Sequence, residues 1–123
     1  MNTTRFTLTS LIALTGCTRH YMVVGESDTS KPIAVSIMKS YGDGQPVRLF
    51  YTELTGNDTE FVWDQHVDDE GAHVEAWFEL RDNPGRRTVY AIPPDKKVRL
   101  KLDRKDDGVV VEETRIDGKK HAK

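Results

Sequence analysis

Turn-forming residues interrupt this chain so often that helices of ordinary length have no room between them. From residue 18 onward, clusters of Gly, Pro, Asn and Asp recur about every 8–12 residues, the interval expected when short strands are joined by tight turns. All five prolines, Pro32, Pro46, Pro84, Pro93 and Pro94, fall at such breaks. Proline lacks the N–H that a helix interior or a central strand needs, so its placement marks boundaries. Between the breaks, apolar and polar residues alternate with the period of two that half-buries a strand. No stretch sustains the 3.6-residue period of an amphipathic helix.

Taken in order, the first strand spans residues 19–25 and is followed by a polar loop at 26–31. Ile33, Val35 and Ile37 then alternate with Ala34, Ser36 and Met38 in a second strand ending near Tyr41, before a turn at Gly42-Asp43-Gly44. Residues 47–54 form a third strand, with Val47, Leu49 and Tyr51 on one face and Arg48, Phe50 and Thr52 on the other. A turn at 55–58 leads into residues 60–80. Residues 81–86 carry the signals of a turn, 88–92 form a short strand closed by Pro93-Pro94, and Val98, Leu100 and Leu102 define another. Asp106-Asp107-Gly108 predicts a three-residue hairpin loop with the glycine left-handed. The last strand ends near Ile116.

Eight or so short strands of this kind predict an all-β domain: an antiparallel β-sandwich, immunoglobulin-like or transthyretin-like, with a small β-barrel as the alternative. Several segments are apolar on one face only, which favours the sandwich. The core should contain Phe61, Trp63, Phe78, Leu100 and Leu102.

Residues 60–80 predict a hairpin around a loop at Asp68-Asp69-Glu70-Gly71. In that register Trp63 faces Ala76 and Phe61 faces Phe78, so large rings meet small or apolar partners on one face. On the opposite face His66 meets His73, and Asp64 meets Glu75. Two imidazoles and two carboxylates at cross-strand distance make a candidate site for zinc, copper or nickel. The alternative is a solvated strand face, which period-two alternation explains without a metal.

Charge is segregated along the chain. Nine acidic residues and no Lys or Arg lie between Glu53 and Glu79, whereas nine basic and three acidic residues lie between Arg81 and Lys105. One consequence is that acidic and basic strands pair side by side in exposed contacts of about 0–1 kcal/mol each. The other is a basic face on Arg86, Arg87, Lys96, Lys97, Arg99 and Lys101 that docks a charged partner or anionic surface. The net charge of the whole chain is only -2, which argues against nucleic-acid binding.

The amino-terminal stretch has one cation, Arg5, then an apolar run from Phe6 to Leu14 diluted by Thr7, Thr9 and Ser10, then small residues before Cys17. That order is the layout of a secretory signal, and the run is too short for a membrane-spanning helix of about 20 residues. Leu14-Thr15-Gly16-Cys17 resembles the lipobox of bacterial lipoproteins. The resemblance implies cleavage before Cys17, a covalent lipid on its thiol and acylation of the new amino end. Several acyl chains anchor firmly where one holds only marginally, since each buried methylene contributes about 0.8 kcal/mol. Thr18 stands where an Asp would signal inner-membrane retention in that family, so the resemblance implies an outer-membrane lipoprotein facing the periplasm.

The expected organisation is therefore a signal peptide at 1–16, a lipidated amino terminus, first strand and loop at 17–31, a sandwich body at 32–116 and a basic flexible tail at 117–123. Cleavage removes 16 of the 123 residues to leave 107, and losing Arg5 takes the charge from -2 to -3. Cys17 is the sole cysteine, so the mature domain makes no internal disulfide. No nucleophile elbow or phosphate-binding glycine loop occurs, and with Cys17 lipidated no cysteine nucleophile remains. The expectation is a non-catalytic protein without a cofactor other than its lipid, serving as an accessory or binding subunit of an envelope secretion or assembly complex. Two alternatives are an inhibitor, immunity or phage-exclusion lipoprotein, and a periplasmic metal-binding protein.

Overall fold

A computed structural model of the chain describes residues 18–42, 44–68 and 72–118. The expected signal segment 1–16, the lipidation site Cys17, Asp43, loop residues 69–71 and tail residues 119–123 lie outside the described residues.

Eight strands account for most of the described chain: β1 (Thr18–Ser27), β2 (Ile33–Tyr41), β3 (Val47–Leu54), β4 (Glu60–Asp68), β5 (Ala72–Leu80), β6 (Asn83–Ala91), β7 (Lys96–Lys105) and β8 (Gly108–Gly118). They form two open four-stranded sheets. Sheet A has the order β4-β1-β7-β8 and sheet B the order β3-β2-β5-β6. The expected β-sandwich is the fold, and the sheets do not close into a barrel. All pairings are antiparallel except one: β1 runs parallel to β7, with Val23 opposite Val98 and Gly25 opposite Leu100.

Alternation dictates the core. Val23 on β1, Trp63 on β4 and Val98, Leu100 and Leu102 on β7 point inward from sheet A, and meet Ile33, Val35, Ile37, Ala76, Phe78 and Leu80 from sheet B. All five residues expected in the core are buried. Their apolar area, removed from water at about 25 cal/mol per Å², is the principal driving term for a domain without a disulfide. Gly25 is required at its place in β1, because it sits opposite Phe61 and a Cβ there would fall inside the space of the Phe61 ring. The ring of one strand thus covers the bare backbone of its neighbour.

The predicted hairpin at 60–80 is not present. β4 pairs with β1 in sheet A, and β5 pairs with β2 in sheet B, so the two consecutive strands face each other across the core instead of lying side by side. Phe61, Trp63, Val67, Val74, Ala76 and Phe78 are buried in either arrangement, which is why the alternation did not distinguish them. Four residue steps from Asp68 to Ala72 reach roughly 13–14 Å, enough to cross the roughly 10 Å between packed sheets as well as to reverse direction.

Three boundaries also differ from expectation. β6 begins at Asn83 and includes Pro84, Gly85 and Arg86, leaving only residues 81–82 as a turn. Proline is tolerated there because, among the described residues, β6 is an edge strand hydrogen-bonded to β5 alone. The β7–β8 turn contains two residues, with Lys105 paired to Gly108; the left-handed residue is Asp106, at φ 56°, and not the glycine. Asp tolerates that region better than most side chains. β8 continues to Gly118, so Asp117 pairs with Lys97 and belongs to the sheet, not to the tail. Finally, a bulge in β3 leaves Leu49 between the pairs Ile37–Phe50 and Met38–Arg48. The extra residue rephases the strand, turning Phe50 toward the core and Tyr51, opposite Ser36, toward the outside.

Candidate functional site

The four residues of the expected metal site are not brought together. His66 and Asp64 lie on the outer face of sheet A, whereas His73 and Glu75 lie on the outer face of sheet B, with the core between. His66 is opposite His20 on β1, and the two imidazoles stack with centroids 4.7 Å apart. His20 Nε2 lies 2.5 Å from Asp64 Oδ1. On sheet B, His73 is opposite Ser40 and Glu75 accepts a hydrogen bond from Trp77 Nε1 at 3.0 Å. Among the described residues, no three His, Cys, Asp or Glu side chains are grouped to hold a metal ion. His20, which sits in the first strand 46 positions before His66, carries no local signal of that neighbour; only the β1–β4 pairing reveals it.

The basic residues likewise separate into two groups. Arg86 and Arg87 are on β6, at the edge of sheet B, and Lys96, Lys97, Arg99 and Lys101 are on β7, inside sheet A. Ion pairs tie the acidic and basic segments together: Arg87 with Glu79 at 3.6 Å, Arg99 with Glu60 at 3.5 Å, and Arg81 with Glu53. A hydrogen bond that Arg81 donates to the Tyr51 hydroxyl oxygen, followed by the Glu53 charge, holds the Arg81 guanidinium above its usual pKa. Among the described residues, three charges of each segment are thus paired with the other across strands, in exposed contacts of small individual worth.

A different feature stands out along one side of the sandwich. Among the described residues, β3 and β4 are the edge strands of their sheets on that side, each hydrogen-bonded on one flank only. Between them runs a cleft of about 700 Å³, lined by Leu49 and Phe50 of β3 and by the unbroken run of residues 62–68 of β4. The lining is mixed: the cores of the two sheets contribute Phe50, Trp63 and Val67, and the outer face contributes Val62, Asp64 and His66. Phe50, in its wall, packs against Phe61 with ring centroids 6.2 Å apart. Val47, Leu49 and Val62 are 53%, 37% and 52% exposed, respectively. An open strand edge offers unpaired N–H and C=O groups to any extended chain, and exposed apolar side chains beside it add contact area. The bulged residue Leu49 and its neighbour Phe50 line this cleft from the β3 edge; neither the bulge nor the edge positions of β3 and β4 are legible in alternation alone.

No protein-family model matches the chain. No curated protein matches it in sequence. In the solved structures, it resembles a proposed cell adhesion protein from Bacteroides ovatus, with a TM-score of 0.50 and 5% identity over 85% of this chain. The chain spans 47% of that protein's length. At this identity the likeness concerns the fold.

Proposed function

We propose that the chain is a lipoprotein, anchored through Cys17 in the outer membrane and facing the periplasm, that serves as a non-catalytic binding subunit of an envelope complex. The observation that carries the binding role is the β3–β4 side: two open strand edges flank a cleft lined by exposed Leu49 and Val62, with exposed Val47 further along β3. A partner strand docking there would gain main-chain hydrogen bonds from an edge and burial from these side chains.

The anchor and the cleft are compatible in position. Thr18 is already the first residue of β1, and it lies opposite Asp68 at the end of β4. Acyl chains on Cys17 would therefore hold the sandwich end-on at the membrane without a spacer. Asp68 also lines the cleft, so the cleft starts at the membrane-proximal end. The partner that fits such a site is itself membrane-bound or works at the membrane surface.

Two measurements test the proposal. Mass spectrometry of the protein from its host should show loss of residues 1–16 and a lipid-sized increment at Cys17; an intact Met1 with a free thiol would remove the anchor. Affinity capture with the full chain should recover an envelope protein that is lost when Val62 is replaced by Lys, whereas equal recovery by the variant would show that the partner docks elsewhere.

A further inference from the structure

The outer face of sheet B holds a second depression, away from the β3–β4 cleft. Its floor is set by two small residues of the central strand β2, Ala34 and Ser36. On one rung Ser36 lies between Tyr51 of β3 and Trp77 of β5, and on the next Ala34 lies between Glu53 and Glu79. Strands two apart in a sheet are separated by about 9.5 Å, so two large rings rise on either side of a floor with almost no side chain. The space between them amounts to about 300 Å³.

The walls are held by a lattice of contacts. The Arg87 guanidinium lies 3.8 Å from the centroid of the Trp77 ring and pairs with Glu79. Trp77 Nε1 donates to Glu75, and the Tyr51 hydroxyl donates to Glu53 at 2.8 Å, which also receives Arg81. Arg48 lies 4.8 Å over the Tyr51 ring. Among the described residues it makes that ring contact and no ion pair. The cleft lining thus presents three guanidinium groups, on Arg48, Arg81 and Arg87, against one carboxylate, Glu79. Glu53 and Glu75 stand beside the cleft and are turned to Arg81 and Trp77. Arg81 and Arg87 have acidic partners, which leaves Arg48 as the cation free to receive an anion.

The backbone beneath is unavailable. β2 is bonded on both flanks, to β3 and β5, so the floor offers no main-chain edge to a peptide. Recognition here has to use ring faces, guanidinium forks and the Ser36 hydroxyl. Pyranose rings suit such a surface, because they present flat C–H faces to aromatic rings and hydroxyls to charged side chains, and a carboxylate suits the guanidinium of Arg48. We infer that this cleft binds an acidic saccharide, with a uronate ring seated over Ser36 between Tyr51 and Trp77 and its carboxylate on Arg48.

The test is affinity electrophoresis of the full chain through gels containing alginate, polygalacturonate or hyaluronate, each beside its methyl-esterified form. Retardation by at least one acidic polymer is expected, with at least a tenfold weaker affinity for its ester. Arg48→Glu and Trp77→Ala should each weaken binding about tenfold or more while circular dichroism stays that of the folded protein. Binding to none of the three polymers would overturn the inference, as would equal binding of an ester. Undiminished binding by folded Arg48→Glu, or equal retardation by poly-glutamate, would also overturn it. This cleft and the β3–β4 cleft are on different surfaces, so Val62→Lys should leave saccharide binding unchanged.

Discussion

Along the β6–β8 side of the sandwich, side chains of one sheet reach directly to the other. Thr88 Oγ1 donates to the Val109 carbonyl at 2.6 Å, Asn83 Nδ2 donates to the Asp107 carbonyl at 3.0 Å, and the Tyr90 hydroxyl donates to Glu113. Arg86 adds an ion pair with Asp107 at 3.9 Å. Along the β3–β4 side, the two edges meet through the packed rings of Phe50 and Phe61, with the 700 Å³ cleft running beside them. A sandwich of this size is thus tied on one side and left open on the other. Side chains of β6 reach the Val109 carbonyl and Glu113 of β8 and the Asp107 carbonyl just before it, whereas the described edges of β3 and β4 leave a flank open to a partner.

The largest expected effect comes from hollowing the open side. Trp63→Ala removes a ring that belongs both to the core and to the cleft wall, and should cost about 3–5 kcal/mol in denaturant unfolding. A cost under about 1 kcal/mol would show that the ring is not packed as described. Next, Gly25→Val forces the Phe61 ring off β1 and should destabilise by about 1–3 kcal/mol; the smaller Phe61→Leu in the same chain should restore part of that loss. On the tied side, Thr88→Val deletes one cross-sheet hydrogen bond while keeping the shape, and should cost about 1 kcal/mol. Hydrogen exchange would then rise along β8 and stay unchanged along β4 if the two sides are independent.

The smallest effect is in the pH dependence. Burial, helped by the hydrogen bond and charge of Glu113, raises the pKa of Tyr90 above the ordinary phenol value. The folded chain therefore holds that proton more tightly than the unfolded one. Its contribution to stability is fully present below about pH 10 and is lost as pH rises through the folded pKa. Tyr90→Phe should flatten that alkaline decline in an unfolding series from pH 8 to 11, and an unchanged slope would show that another group causes it.

How much of this was readable beforehand depends on what alternation encodes. A period of two says which side chains go inward, and it placed Phe61, Trp63, Phe78, Leu100 and Leu102 in the core. It does not say which strand lies alongside. The pairing of β4 with β1, and of β1 with a parallel β7, depends on contacts distant in sequence, so the hairpin expected at 60–80 and its His66–His73 pair dissolved together. The bulge at Leu49 and the extension of β6 through Pro84 were hidden for a related reason: both are tolerated only because β3 and β6 are edges. The candidate sites thus rest on edges and rungs, which the three-dimensional pairing creates, while the core rests on residue pattern.

The open side can be tested directly by placing a photo-crosslinking residue at position 62 on β4 and, in a second protein, at position 110 on β8. Val62 and Val110 are both exposed, so access to the probe is similar and only the side differs. Irradiation in the host envelope should give a discrete adduct with one protein from position 62 and none from position 110. The same adduct from both positions, or an adduct from position 110 alone, would contradict the assignment of the β3–β4 side as the docking surface.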